Sequence, residues 1–275
     1  MRSCPTFKPL GLVGGGMDLH GRGVREDVRE LGESLGDAVR SHEQPATYQA
    51  VETARTAAID YRRGDGDDRA ALRSLVERAD PADCENLARA FTGYFELVNL
   101  AEERERVREL RRDEAAETLS DGIRGAVVDL ADADATAADV ADVLADVRVV
   151  PTFTAHPTEA RRKTVKAHLN RVRDLLAGLD QRRLTPRERH RKWRRVEATI
   201  DALWNTRRVR DRQPTPFDEA RDVQWYLANA VYDVVPDVYS ELTDALAEHY
   251  DDPPAVPSVL SFRSWAGSDR DGNPY

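Results

Sequence analysis

The sequence predicts a mainly α chain with two short strands set into it, each running into a loop that carries polar residues. Three observations point to this. Apolar residues recur at helical spacing, as in Val24, Val28, Leu31, Leu35 and Val39. Only two stretches read as strands. The first is the apolar run Val147 to Ala155, interrupted by Arg148, which reads as buried; the second is Val256 to Phe262. The chain, 275 residues long and 40% hydrophobic, can also bury a substantial core in one or two domains.

Charge and cysteine usage narrow the classes. There are 50 acidic and 41 basic residues, for a net charge of −9, which argues against a general nucleic-acid binder. Lys8, Lys163, Lys166 and Lys192 are the only lysines; every other basic residue is arginine. An acidic, Asp-rich, Lys-poor surface resembles that of proteins adapted to high salt, which screens self-repulsion. A GC-rich coding bias is the plainer account of the same composition. Two cysteines, Cys4 and Cys84, exclude a disulfide framework and point to a reducing compartment. No apolar run is long enough to cross a bilayer, and Met1 to Gly16 holds no stretch like a signal peptide. The expectation is a cytoplasmic protein with no membrane partner.

In chain order, residues 1–16 hold Pro5, Pro9 and Gly14-Gly15-Gly16 without an apolar period and read as a disordered extension, with Met17 an alternative start. A helical region spans 17–145. Its first helix carries the Val24-to-Val39 face. A second covers about Ala46 to Arg62 and breaks at Gly64-Asp65-Gly66, and a third covers about Arg69 to Ala79, before Pro81. A long helix from Asp83 to Arg112 should bury Leu87, Phe91, Tyr94, Phe95, Val98, Ala101 and Leu110. Thr136 is placed to cap a short helix in an Ala- and Asp-rich, solvated stretch.

Residues 146–275 form the second part. A helix buries Val165, Leu169, Val172, Leu176 and Leu179. The next is basic from Arg182 to Arg195 and buries Trp193, Val196, Ile200, Leu203 and Trp204. The basic stretch reads as a solvated face rather than a nucleic-acid patch. Thr215-Pro216-Phe217-Asp218-Glu219 combines a cap, a first-position proline and first-turn acids, and opens a helix to about Tyr250, kinked at Pro236.

The stretch around His156 organises the chain. Pro157 keeps His156 out of helical conformation and suits the first position of a helix. His156 therefore stands at a strand-to-helix corner, where unpaired N–H groups and the helix dipole favour an anion, with Arg161, Arg162 and Lys163 following. A histidine in such a corner, taken alone, reads as structural.

Two motifs change that reading. Thr154-Ala155-His156-Pro157-Thr158-Glu159-Ala160-Arg161-Arg162-Lys163-Thr164 resembles the histidine motif T-A-H-P-T-[EQ]-x-x-R-R-[ST] of phosphoenolpyruvate carboxylases, with Lys163 in place of the second arginine. Trp265-Ala266-Gly267-Ser268-Asp269-Arg270-Asp271-Gly272-Asn273-Pro274 resembles the family's W-x-G-G-D-R-D-G-N-P. The segments Val24 to Gly36, Ala90 to Glu102 and Pro214 to Ala220 are similar to the family as well. Arg207 and Arg208, however, stand where it carries acids.

The resemblance implies an amino-terminal helical region leading into the first strands and helices of a β/α barrel, incomplete in this chain, with the site at the carboxyl ends of the strands. It implies formation of oxaloacetate and phosphate from phosphoenolpyruvate and bicarbonate, with Mg²⁺ or Mn²⁺, in a homotetramer. His156 would accept the carboxyphosphate proton, and its pKa would be lowered by nearby cations and the helix terminus. Arg162 and Lys163 would hold the loop or face anions, and Trp265 would wall the pocket for CO₂, with an ordinary core tryptophan as the alternative. Asp269, Arg270 and Asp271 would shape the site. No metal ligand is assigned to the chain, because the family's metal carboxylates come later in its sequence. As an amino-terminal fragment the chain alone is expected to be inert. The other classes are a non-enzymatic helical scaffold or interaction module derived from the carboxylase, and a phosphohistidine carrier using His156.

Overall fold

The structure, a computed structural model, describes residues 19–63, 68–116, 118, 122–154, 163–180, 184–208 and 215–266. The extension over residues 1–16, the break at Gly64-Asp65-Gly66, and His156, Arg162, Asp269, Arg270 and Asp271 lie outside the described residues.

Helices α1 (Val24–His42), α2 (Pro45–Arg63), α3 (Asp68–Arg78), α4 (Pro81–Ala115), α5 (Ile123–Asp132) and α6 (Ala137–Asp146) precede strand β1 (Thr152–Phe153). Then follow α7 (Lys163–Leu179), α8 (Pro186–Trp204), α9 (Pro216–Tyr226), a π-helical turn at Leu227–Val231, α10 (Tyr232–His249) and β2 (Arg263–Ser264). The helix starts follow local chemistry. Thr136, Thr185 and Thr215 each close a capping box with the acid three residues on. Asp80 caps α4, with Pro81 next, so that helix starts earlier than expected.

Two apolar cores form. In the larger, α1, α4, α7 and α8 bring together Leu31, Leu35, Leu97, Leu176, Ile200 and Trp204. Each such leucine contributes about 1.5–3 kcal/mol of transfer free energy. The helix faces anticipated for α1, α7 and α8 are the faces that pack. On α4 the face is shifted in part: Leu87 and Ala101 are buried and Tyr94 packs against the core as anticipated, Ala90, Gly93, Leu97 and Leu100 are buried as well, and Phe95 is 54% exposed. A Cβ added at Gly93 would meet Leu35 of α1 at ordinary contact, 3.6 Å, and the Arg208 guanidinium more tightly, at 3.0 Å. Of the aromatic stripe, Phe95 is the residue turned to the rim. The second core joins α5, α6 and α10 through Val127, Val140, Leu144, Ala245 and Leu246. Helix α5 was not anticipated; it starts after Gly122, whose φ of 103° suits glycine alone.

Two further expectations are corrected. The run from Val147 is not a buried strand: Val149 is 49% exposed, and β1 and β2 are two residues each. Among the described residues the two strands pair only with each other, so no further strand covers their flanks. The long last helix is widened at Leu227–Val231, where the Tyr232 N–H reaches back to the Leu227 carbonyl, rather than simply bent at Pro236. Pro236 lies inside α10 and has no N–H to donate to the turn before it.

Candidate active site

β1 and β2 are parallel, with Thr152 opposite Arg263 and Phe153 opposite Ser264. Backbone bonds extend the ladder at both ends. The Val149 N–H donates to Val259 at 2.8 Å, Ser261 to Val149 at 3.0 Å, Arg263 to Pro151 at 3.1 Å and Trp265 to Phe153 at 2.9 Å. Parallel pairing brings both carboxyl ends to one side. Trp265 stands at one of them, and His156 follows the other three residues beyond Phe153 in the chain. Trp265 is 59% exposed, in contrast to Trp204 in the core at 2%.

Lys163 begins α7, and its Nζ lies 2.5 Å from the Asp222 carboxylate on α9, with the lysine side chain 64% exposed. Beside this pair, α7 and α9 enclose a cleft of about 490 Å³ lined by Lys166, Asn170, Trp225 and Tyr226. The two rings meet edge to face at 5.2 Å, and Lys166 Nζ stands 5.8 Å from the Tyr226 ring. Lys163 and Trp265 are thus the two anticipated site residues among those described.

Sequence reasoning missed Asp222 and Tyr239. The Tyr239 hydroxyl on α10 accepts the N–H groups of Val259 at 3.0 Å and Leu260 at 3.2 Å, where the segment leading to β2 begins. The Leu260 amide foremost, with Ser258 and Val259, lowers the phenol pKa against the opposing effect of burial. The spacing Tyr239, Leu242, Leu246 marks this face as packed, but the tyrosine's partner is visible only in three dimensions. Arg208, where an acid was expected, pairs with Glu96 of α4 at 2.7 Å and is used in packing. Among the described residues no three of His, Cys, Asp and Glu converge to hold a metal ion. No described helix is long and apolar enough to cross a membrane.

The phosphoenolpyruvate carboxylase family model matches residues 24–275. A phosphoenolpyruvate carboxylase of Thermus sp. (strain 71) is 36% identical over 256 residues, covering 92% of this chain and 28% of that protein. The enzyme of Xanthomonas oryzae pv. oryzae is 36% identical over 255 residues, with 91% and 28% covered. That of Roseiflexus castenholzii is 37% identical over 254, with 90% and 27% covered. The chain therefore spans about 28% of the length of the first of these relatives. The mostly helical architecture, the parallel strand pair and a match from the first helix to the last residue agree, and the chain belongs to the phosphoenolpyruvate carboxylase family.

Proposed function

We propose that this chain forms part of an enzyme that converts phosphoenolpyruvate and bicarbonate into oxaloacetate and phosphate. The supporting observation is the parallel pairing of the two strands that lead into the two family motifs. In a β/α architecture, segments that leave the carboxyl ends of adjacent parallel strands meet over one site.

The steps assign work to this chain's residues. A bicarbonate oxygen attacks phosphorus, the bond to the enol oxygen breaks, and enolate and carboxyphosphate result. His156 takes the carboxyphosphate proton, and the C–O bond to phosphate breaks to release CO₂ and phosphate. The enolate carbon then bonds to CO₂. Trp265 presents an apolar wall that retains CO₂ and excludes water. Arg162 and Lys163 hold the anions, Arg162 with the planar fork that Lys163 lacks. Asp269, Arg270 and Asp271 shape the site. The family needs a divalent cation, Mg²⁺ or Mn²⁺, to neutralise substrate oxygens. No ligand to it is assigned to this chain, so no step here runs through a metal. The working enzyme is taken to be a cytoplasmic homotetramer that binds no nucleic acid.

The deciding experiment is His156→Asn in the full-length enzyme that carries this segment. Asn suits a helix-start corner but takes up no proton at neutral pH. Oxaloacetate formation should vanish with the thermal midpoint unchanged. Carboxylation at the wild-type rate would remove His156 from the mechanism. If the unaltered full-length protein forms no oxaloacetate, the chain is instead a helical scaffold derived from the carboxylase.

A further inference from the structure

Helices α9 and α10 touch both segments that bear the described site residues, through contacts of different kinds. On α9, Asp222 pairs with Lys163 at 2.5 Å. On α10, the Tyr239 hydroxyl takes two backbone N–H groups at the start of the segment that ends at Trp265. Helix α10 is itself anchored, since Ala245 and Leu246 are buried against α5 and α6. Helix α9 has no buried residue and reaches α7 from that base through the π turn.

We propose that α9 and α10 form a positioning bracket, in which Asp222 sets Lys163 and Tyr239 sets the strand carrying Trp265. The inference rests on the carboxylase reading above. The ion pair is not explained by stability alone. The Lys163–Asp222 pair is largely solvated on the lysine side, and such pairs contribute little to folding. What it does is hold a flexible four-carbon side chain in one place at the start of α7, where a cation would meet substrate anions. The Tyr239 contact acts on the other strand. The Ser261 N–H is engaged by the Val149 carbonyl, whereas the Leu260 N–H is engaged by the phenol. The phenol and β1 therefore grip the segment from two directions, upstream of Trp265. The wider turn at Leu227–Val231 lies between the two grips in the chain.

The two halves predict different kinetic defects, neither of which a loss of fold produces. Losing the Asp222 carboxylate frees Lys163 and weakens anion capture, so KM for phosphoenolpyruvate rises. Losing the Tyr239 oxygen lets the Trp265 wall shift and CO₂ escape. The enolate carbon then takes a proton, giving pyruvate and phosphate in place of oxaloacetate and phosphate.

The test uses the full-length enzyme and measures oxaloacetate, pyruvate and phosphate together. Asp222→Asn should raise KM by about tenfold with the oxaloacetate-to-phosphate ratio unchanged, and Asp222→Glu should restore KM. Tyr239→Phe should lower that ratio several-fold with KM close to wild type. Displacements of about 1 Å can cost up to about a hundredfold in rate. In the 275-residue chain, the amides of Val259 and Leu260 should exchange faster with solvent in Tyr239→Phe. An unmoved KM in Asp222→Asn, or an unmoved ratio in Tyr239→Phe, overturns the bracket. A wild-type enzyme that forms no oxaloacetate overturns the carboxylase reading instead, before either variant is measured.

Discussion

Asp27 of α1 and Arg108 of α4, 81 residues apart in the chain, meet at 2.6 Å with neither side chain exposed. Arg108 also reaches Asp180, at the end of α7, at 2.7 Å and Glu105 at 3.0 Å. Asp180 takes Arg104 as well, and Asp27 takes Arg22 at 2.7 Å. One guanidinium thus ties three helices at a single buried point. Burial disfavours its charge, but the bonds to Asp180 and Asp27 more than reverse this and raise its pKa above the usual guanidinium value.

Removing that charge leaves two buried carboxylates without their shared partner. Arg108→Ala should cost about 3–5 kcal/mol, read from urea unfolding of the chain. A change below about 1 kcal/mol would mean that water replaces the guanidinium in the native state.

The same region makes stability fall in mild acid. His20 is 3% exposed, and neither ring nitrogen has a hydrogen-bond partner among the described residues. Its pKa is lowered from 6.5 by burial first, then by Arg111, Arg112 and Arg104, against the pull of Asp180. Below pH 6.5 the unfolded chain takes this proton before the folded one, so stability drops as pH falls. Glu105 adds to the trend at lower pH. Burial raises its pKa, but the bonds from Arg112 and Arg108 outweigh this and bring it below its usual 4.5. Its stabilisation is present above that value and is lost as pH falls through the folded pKa. Melting midpoints should decline from neutrality into acid, and His20→Phe should flatten the first part of the decline. A wild-type midpoint that stays level to pH about 5 would contradict the assignment.

Caps carry part of the helix stability. Thr185→Ala removes the acceptor for the Glu188 N–H, at 3.3 Å, and should cost about 1 kcal/mol. Thr185→Ser, which keeps the hydroxyl, should restore most of it in the same denaturation experiment.

The net charge of −9 should make the chain more stable in molar KCl than in dilute buffer, since the screening length falls to about 3 Å at 1 M salt. A melting midpoint that is flat or falling with KCl would count against adaptation to high salt.

The 275-residue chain by itself should form no oxaloacetate and should self-associate. Tyr232 at 76%, Trp265 at 59% and Val149 at 49% leave apolar surface open, and β1 and β2 are short. Coupled assay with malate dehydrogenase and light scattering check both. Turnover that depends on His156 would show that the short chain suffices.

Periodicity and capping chemistry are local, so the sequence by itself determined the helices and most of their buried faces. Leu31, Leu176 and Ile200 pack where their spacing placed them, and Thr185 and Thr215 start helices where their side chains reach the third residue on. The two motifs were legible for the same reason, each being a contiguous run. Only the tertiary structure decided which residues of α4 are buried, because Leu97 and Leu100 meet the core shared with α1, α7 and α8 while Phe95 faces away from it. It alone paired β1 with β2, since the hydrogen bonds of a strand name no partner until another backbone lies alongside. It alone brought Asp222 to Lys163 and Tyr239 to Leu260. Those contacts depend on the course of α9 and α10 through the π turn, and no local pattern around either residue encodes that path.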